Sequence, residues 1–194
     1  MERHEKQNSQ LVAALTGCAL VLILFSFGLK SPGESDPLPS LGEEEIRSGL
    51  PARLTIPSIG VDTALESVGL TPKGAMDVPT GPVNAAWFSL GPRPGEEGSA
   101  VIAGHYGWKD GLPAVFDNLS ALQRGDTVYV EDENGVRTAF VVRELRIYGE
   151  YEDVPEVFGS LDGKAHLNLV TCGGAWNTVS RSYAKRLVVF ADKE

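Results

Sequence analysis

At 194 residues, with 42% hydrophobic and 22% charged side chains, the chain can hold one domain with a sizeable core plus a short appendage. Its net charge is −9, from 26 acidic against 17 basic residues, and it has no Lys/Arg cluster. This argues against nucleic acid as a partner and reads first as solubility.

Residues 11–29, "LVAALTGCALVLILFSFGL", carry no charge, and their 19 residues come close to the ~20 that cross a bilayer as a helix. Arg3 and Lys6 precede this run and Lys30 follows it. That bias predicts a cytoplasmic N-terminus over 1–10, a single-pass anchor in the cell membrane over 11–29, and an extracellular C-terminal domain. No small-x-small cleavage site follows the run, which favours an uncleaved anchor over a signal peptide. Leu15-Thr16-Gly17-Cys18 resembles a lipoprotein processing box, but apolar chain continues beyond it, so Cys18 reads as a membrane-buried thiol. Residues 30–50 hold Pro32, Pro37, Pro39 and the run Glu43-Glu44-Glu45, the composition of an extracellular linker with at most a short helix at the glutamates.

From Pro51 to Glu194 short strands alternate with turn residues. "ARLTIP" is a strand ended by Pro57, "VDTALESVGL" a strand edge, and "AWFSL" a strand that runs into the turn-forming "GPRPGEEG". "SAVIAGH" is an apolar run of small and β-branched residues. "PAVFDNLSAL" has the spacing of a helix, and "VPEVFGSL" adds one helical turn. "DTVYVEDENGVRTAFVVRELRIY" is two alternating runs around Asn134-Gly135, the strongest hairpin signal in the chain. "AHLNLV" and "RLVVFAD" supply two further strands. Many short strands and one or two short helices predict a mostly β fold, a closed or nearly closed barrel.

Cysteines outside the membrane tend to pair, and Cys172 has no partner in the exported part, so it is a reactive thiol, an intermolecular bridge or an inert buried cysteine. A thiol attacks a carbonyl as the thiolate or beside a base. His4 lies before the membrane run. His166 shares the strand and face of Cys172 but stands about 20 Å away, and reads as a surface or strand-end residue. His105 remains, placed like Cys172 where an apolar strand opens into a glycine-bearing loop. Amide cleavage also builds an oxyanion that needs preorganised donors. Arg186 opens the last strand and, if that strand pairs antiparallel with "HLNLVTC", lies near the cysteine; Arg181 and Lys185 are rivals.

"VIAGH", "LVTCGG" and an arginine leading "RLVVFA" together resemble the sortases, membrane-anchored cysteine transpeptidases of Gram-positive and related bacteria. The resemblance covers roughly residues 51–194, the catalytic domain, and includes "LTIPSIGVDTALESVGL" and "MDVPTG". It implies a sortase-type β-barrel, with Cys172 as nucleophile, His105 as general acid/base and Arg186 stabilising the oxyanion or holding substrate. Thr171 matches a family position that helps shape the substrate and oxyanion site. The implied reaction cleaves a C-terminal Leu-Pro-x-Thr-Gly-like sorting signal between Thr and Gly. It passes through a thioacyl enzyme and transfers the secreted protein to an amine of a peptidoglycan precursor or pilin. No cofactor or metal is expected. "VTCGG" and the short chain lean towards class F, with class E or D the alternatives. Asn168 stands where many sortases carry the first threonine of Thr-Leu-x-Thr-Cys, a departure that bears on substrate contacts and not on the nucleophile. The competing reading is a non-enzymatic, membrane-tethered β-barrel adaptor or assembly factor with a buried cysteine.

Overall fold

β1 (Pro51–Ile56) ends where Pro57 removes a backbone donor and opens a single 3-10 turn over 57–59. β2 (Val61–Val68) returns antiparallel to β1, and β3 (Ala85–Phe88) then pairs parallel with β2. β4 (Gly98–Gly104) runs antiparallel to β3. The hairpin predicted at Asn134-Gly135 joins β5 (Thr127–Asp132) to β6 (Arg137–Gly149), with Gly135 at φ 79°. A four-residue helix, α1 (Pro155–Phe158), precedes β7 (Ala165–Asn177), and β8 (Ser182–Lys193) closes the chain. The computed structural model describes residues 49–178 and 182–194. The expected anchor over 11–29, the linker up to residue 48, Cys18 and Arg181 lie outside the described residues. Among the described residues no helix is long and apolar enough to cross a membrane.

The eight strands form a closed barrel in the order β1-β2-β3-β4-β7-β8-β6-β5, so every strand has two neighbours. Leu54, Ile56, Ile102, Phe140, Leu167 and Val189 fill its interior. A second apolar cluster, Val101, Tyr148, Val157, Val188 and Phe190, covers the outer face of β4, β7, β8 and β6. Burial on both faces explains why β4 and the middle of β7 and β8 read as continuous apolar runs while β5 and β6 alternate.

Two expectations are corrected. Residues 113–122 do not form a helix: Leu119 bonds back to Phe116, Ala121 to Asn118 and Leu122 to Leu119, giving tight turns. The Asp117 carboxylate accepts the N–H groups of Gly107 at 2.6 Å and Ala114 at 3.0 Å, a local competitor to helix bonding. The apolar spacing serves instead to push Phe116, Leu119 and Leu122 into the barrel core. His166 stands at a strand end, as the second residue of β7, but it is not on the surface: it is only 7% exposed. Burial is possible because Asp192 lies 2.7 Å from Nδ1 and Asp162 3.0 Å from Nε2.

Candidate active site

β4, β7 and β8 are consecutive in the barrel; Cys172 lies on β7, Arg186 on β8, and His105 directly follows β4. Cys172 on β7 and Arg186 on β8 are direct partners in the antiparallel ladder, so their side chains leave the same face of adjacent strands. β4 pairs parallel with β7 up to Ala103 and Val170. His105 and Cys172 each lie two residues beyond that pair, which brings the imidazole to the other side of the sulfur. Thr171 points to the opposite face, where its hydroxyl donates to Gly104 O at 2.7 Å and ties the cysteine strand to the residue before His105. Lys185, one residue before Arg186, faces away from the sulfur by the same alternation.

Glycine serves a separate purpose at each strand end. A Cβ at Gly104 would run into the Phe116 ring and come within 2.7 Å of Val115, so only glycine lets the plugging loop pack under His105. Gly174, at φ 77°, turns the chain at the irregularity between Gly173 and Trp176.

His105 is half-buried, and its Nε2 lies 2.8 Å from Pro79 O. A carbonyl only accepts, so Nε2 carries the proton and Nδ1 is the nitrogen left for proton exchange. The Trp108 ring meets the imidazole edge-on at 4.7 Å between centroids. Pro79 is held from behind by Glu66 on β2, whose carboxylate accepts the Thr80 N–H and hydroxyl and the Asn84 amide. The Thr80 N–H bond is the main cause that keeps the Glu66 carboxyl below its ordinary value.

Arg186 spends its guanidinium on three partners. Nη1 donates to Tyr183 O at 2.8 Å and Lys185 O at 2.9 Å, and Nη2 meets Glu150 Oε1 at 3.3 Å. Burial pushes the Cys172 thiol above its ordinary value; Arg186 pulls it down and Glu150 adds to the rise. Burial thus favours the thiol over the thiolate, and the free Nδ1 of His105 is a base that can accept its proton.

Two clefts meet at these three residues. One, of about 610 Å³, is walled by Leu70, Met76, Val78, Phe88, Val154 and Phe158. The other, of about 460 Å³, is walled by Tyr106, Trp108, Trp176 and Tyr183. Both are lined by His105, Cys172 and Arg186. Among the described residues no group of three or more His, Cys, Asp or Glu is placed to hold a metal ion.

The family model for the sortase domain matches residues 54–194. The chain belongs to the sortase family. The sortase barrel is also shared with solved structures at low identity. Sortase C-1 from Actinomyces oris is 23% identical, with a TM-score of 0.59 over 74% of this chain and 73% of that one. The lid mutant of sortase A from Corynebacterium diphtheriae is 20% identical, with a TM-score of 0.59 over 79% of this chain and 75% of that one. No curated protein matches the chain. Sequence reasoning about this sortase did not find Glu150, nor the Glu66–Thr80–Pro79 support behind His105. A carbonyl acceptor leaves no side-chain signal, and Glu150 reaches Arg186 only through the pairing of β6 with β8, whose register shifts at Val142/Glu144.

Proposed function

We propose that this sortase is an anchored extracellular enzyme that cuts a Leu-Pro-x-Thr-Gly-like sorting signal after threonine and passes the acyl group to an amine. The observation that carries the reading is the ladder pairing of Cys172 with Arg186, with His105 at the end of the neighbouring strand. His105 takes the thiol proton as sulfur attacks the threonine carbonyl carbon. The guanidinium of Arg186 faces the resulting oxyanion. As the C–N bond breaks, His105 returns the proton to the departing glycine amine, leaving a thioester on Cys172. An acceptor amine then attacks the thioester, gives its proton to His105, and the thiol is restored.

The apolar cleft suits the leucine and proline of the signal. The aromatic cleft lies on the leaving-group side, where the acceptor must later enter by microscopic reversibility. The acceptor is an amine of a peptidoglycan precursor or of a pilin, and Thr171 acts on this site through the Gly104 carbonyl it holds. The segment 11–29 anchors the enzyme in the cell membrane, 30–50 spaces it, and 51–194 works outside; the two basic residues before the run against one after it support that orientation. Class F is the subgroup favoured by "VTCGG".

Incubating the purified protein with sorting-signal peptides and a primary amine tests the reading by mass spectrometry. The expected product is the peptide truncated after threonine and joined to the amine, lost in Cys172→Ala without loss of fold. Hydrolysed peptide alone at every amine concentration would make the protein a hydrolase. No cleavage of any signal, with Cys172 inert to a methanethiosulfonate, would leave a structural barrel.

A further inference from the structure

Glu150 follows the last residue of β6, beside the end of β8 that carries Arg186. Its side chain is only 16% exposed and is held at both oxygens: Oε1 by Arg186 Nη2 at 3.3 Å, Oε2 by the Ser182 hydroxyl at 3.0 Å. Its own N–H donates to Ala184 O at 3.2 Å. The turn beneath it is set by Glu152, which accepts the Gly149 N–H at 2.8 Å. Glu150 is thus fixed on three points of the strand end from which Arg186 projects. It also lines the apolar cleft with Cys172 and Arg186, so its charge acts where the substrate carbonyl must arrive.

We propose that Glu150 is a positioning residue, holding the Arg186 fork towards the oxyanion site and setting a fixed carboxylate in the cleft that Cys172 lines. This inference rests on the transpeptidase reading above. A long side chain with a delocalised charge needs several fixed acceptors to adopt one orientation, and two backbone carbonyls on its own strand constrain only Nη1. Glu150 constrains the other nitrogen and aligns the plane. The charged and titratable groups that line clefts with the sulfur are Arg186, Lys185 and the Tyr183 phenol from β8, His105, Tyr106, Lys109 and Asp117 from beyond β4, Tyr148 of β6, Glu150 and Glu152 beyond β6, and Asp77. Among them Glu150 is the carboxylate that opposes thiolate formation, while Arg186 favours it. A neutral side chain of the same shape therefore separates the two effects.

Glu150→Gln keeps an acceptor for Nη2 and removes the charge. In the full-length protein its expected effect is a downward move of about half a pH unit or more in the midpoint of Cys172 modification by a neutral methanethiosulfonate. Its kcat for transfer should fall less than that of Glu150→Ala. Glu150→Ala removes the acceptor, and kcat should fall at least about tenfold with KM held within about threefold, since an oxyanion donor acts in the transition state. Glu150→Asp should restore part of that loss. An unmoved midpoint in Glu150→Gln, or a kcat within about twofold of the parent in Glu150→Ala, overturns the proposal. So does a fall in Tm in both variants with the midpoint unchanged, the mark of a structural role alone. If Glu150→Ala does not fold, the Glu150→Gln midpoint decides. If the parent transfers nothing, the transpeptidase reading fails, while the midpoint, which needs no substrate, still decides what Glu150 does to the sulfur.

Discussion

Arg186 donates to two carbonyls of its own strand and to one carboxylate of a neighbouring turn, a set that a planar fork can satisfy at once. Lysine keeps the charge but concentrates it on one rotating ammonium and cannot hold both directions together. Arg186→Lys is expected to lower kcat by about 10- to 100-fold, or roughly 1.4–2.7 kcal/mol of transition-state stabilisation, with little change in Tm. Steady-state transfer kinetics beside thermal melts check this, and a near-parental kcat would leave the oxyanion to other donors. At this scale the sequence was most legible. Cys172, His105 and Arg186 are each recognisable as a chemistry-bearing residue at the end of an apolar run, and the registers of β4, β7 and β8 bring those ends together. The carboxylate on Arg186 and the carbonyl on His105 come from turns far along the chain, and nothing in their local sequence marks them.

The element that governs the histidine is the join between β4 and its loop. Gly104 ends the strand with Phe116 and Val115 packed where a Cβ would stand. Gly104→Ala should cost about 1–3 kcal/mol through overpacking and displace His105. The check is a lowered Tm together with a slower approach to the thioacyl enzyme, measured in a single turnover; a variant with parental rate and melting would show that the loop can yield. The strands were readable because alternation, prolines and the Asn134-Gly135 turn mark them locally. The segment over 113–122 was misread because Phe116, Leu119 and Leu122 recur every three residues, a spacing that 3-10 turns and helices share over so short a stretch. The burial of His166, unlike its place at a strand end, was not legible because its two carboxylate partners, Asp162 and Asp192, lie on a loop and a strand that only the fold brings together.

For the molecule as a whole, the barrel is closed by strands but filled partly from a loop. Phe116 and Leu119, both fully buried, come from the connection between β4 and β5 and occupy the interior beside Leu54, Phe140 and Leu169. Phe116→Ala would leave a cavity that the ladder cannot collapse, at a cost of about 3–5 kcal/mol. That corresponds to a fall of roughly 10 °C in Tm for a domain of this size, measured by thermal unfolding. A loss of only a degree or two would mean that the loop is not part of the core.

The pairing of β7 with β8 has one more consequence. Inward and outward positions alternate along β7, so sliding the strand by a single residue would bury the sulfur in the apolar interior and bring Thr171 outward in its place. A misthreaded copy would then be inert, not merely slow. Titrating labelled Cys172, resolved from Cys18 by peptide mass, against total protein would count the correctly threaded molecules in any preparation.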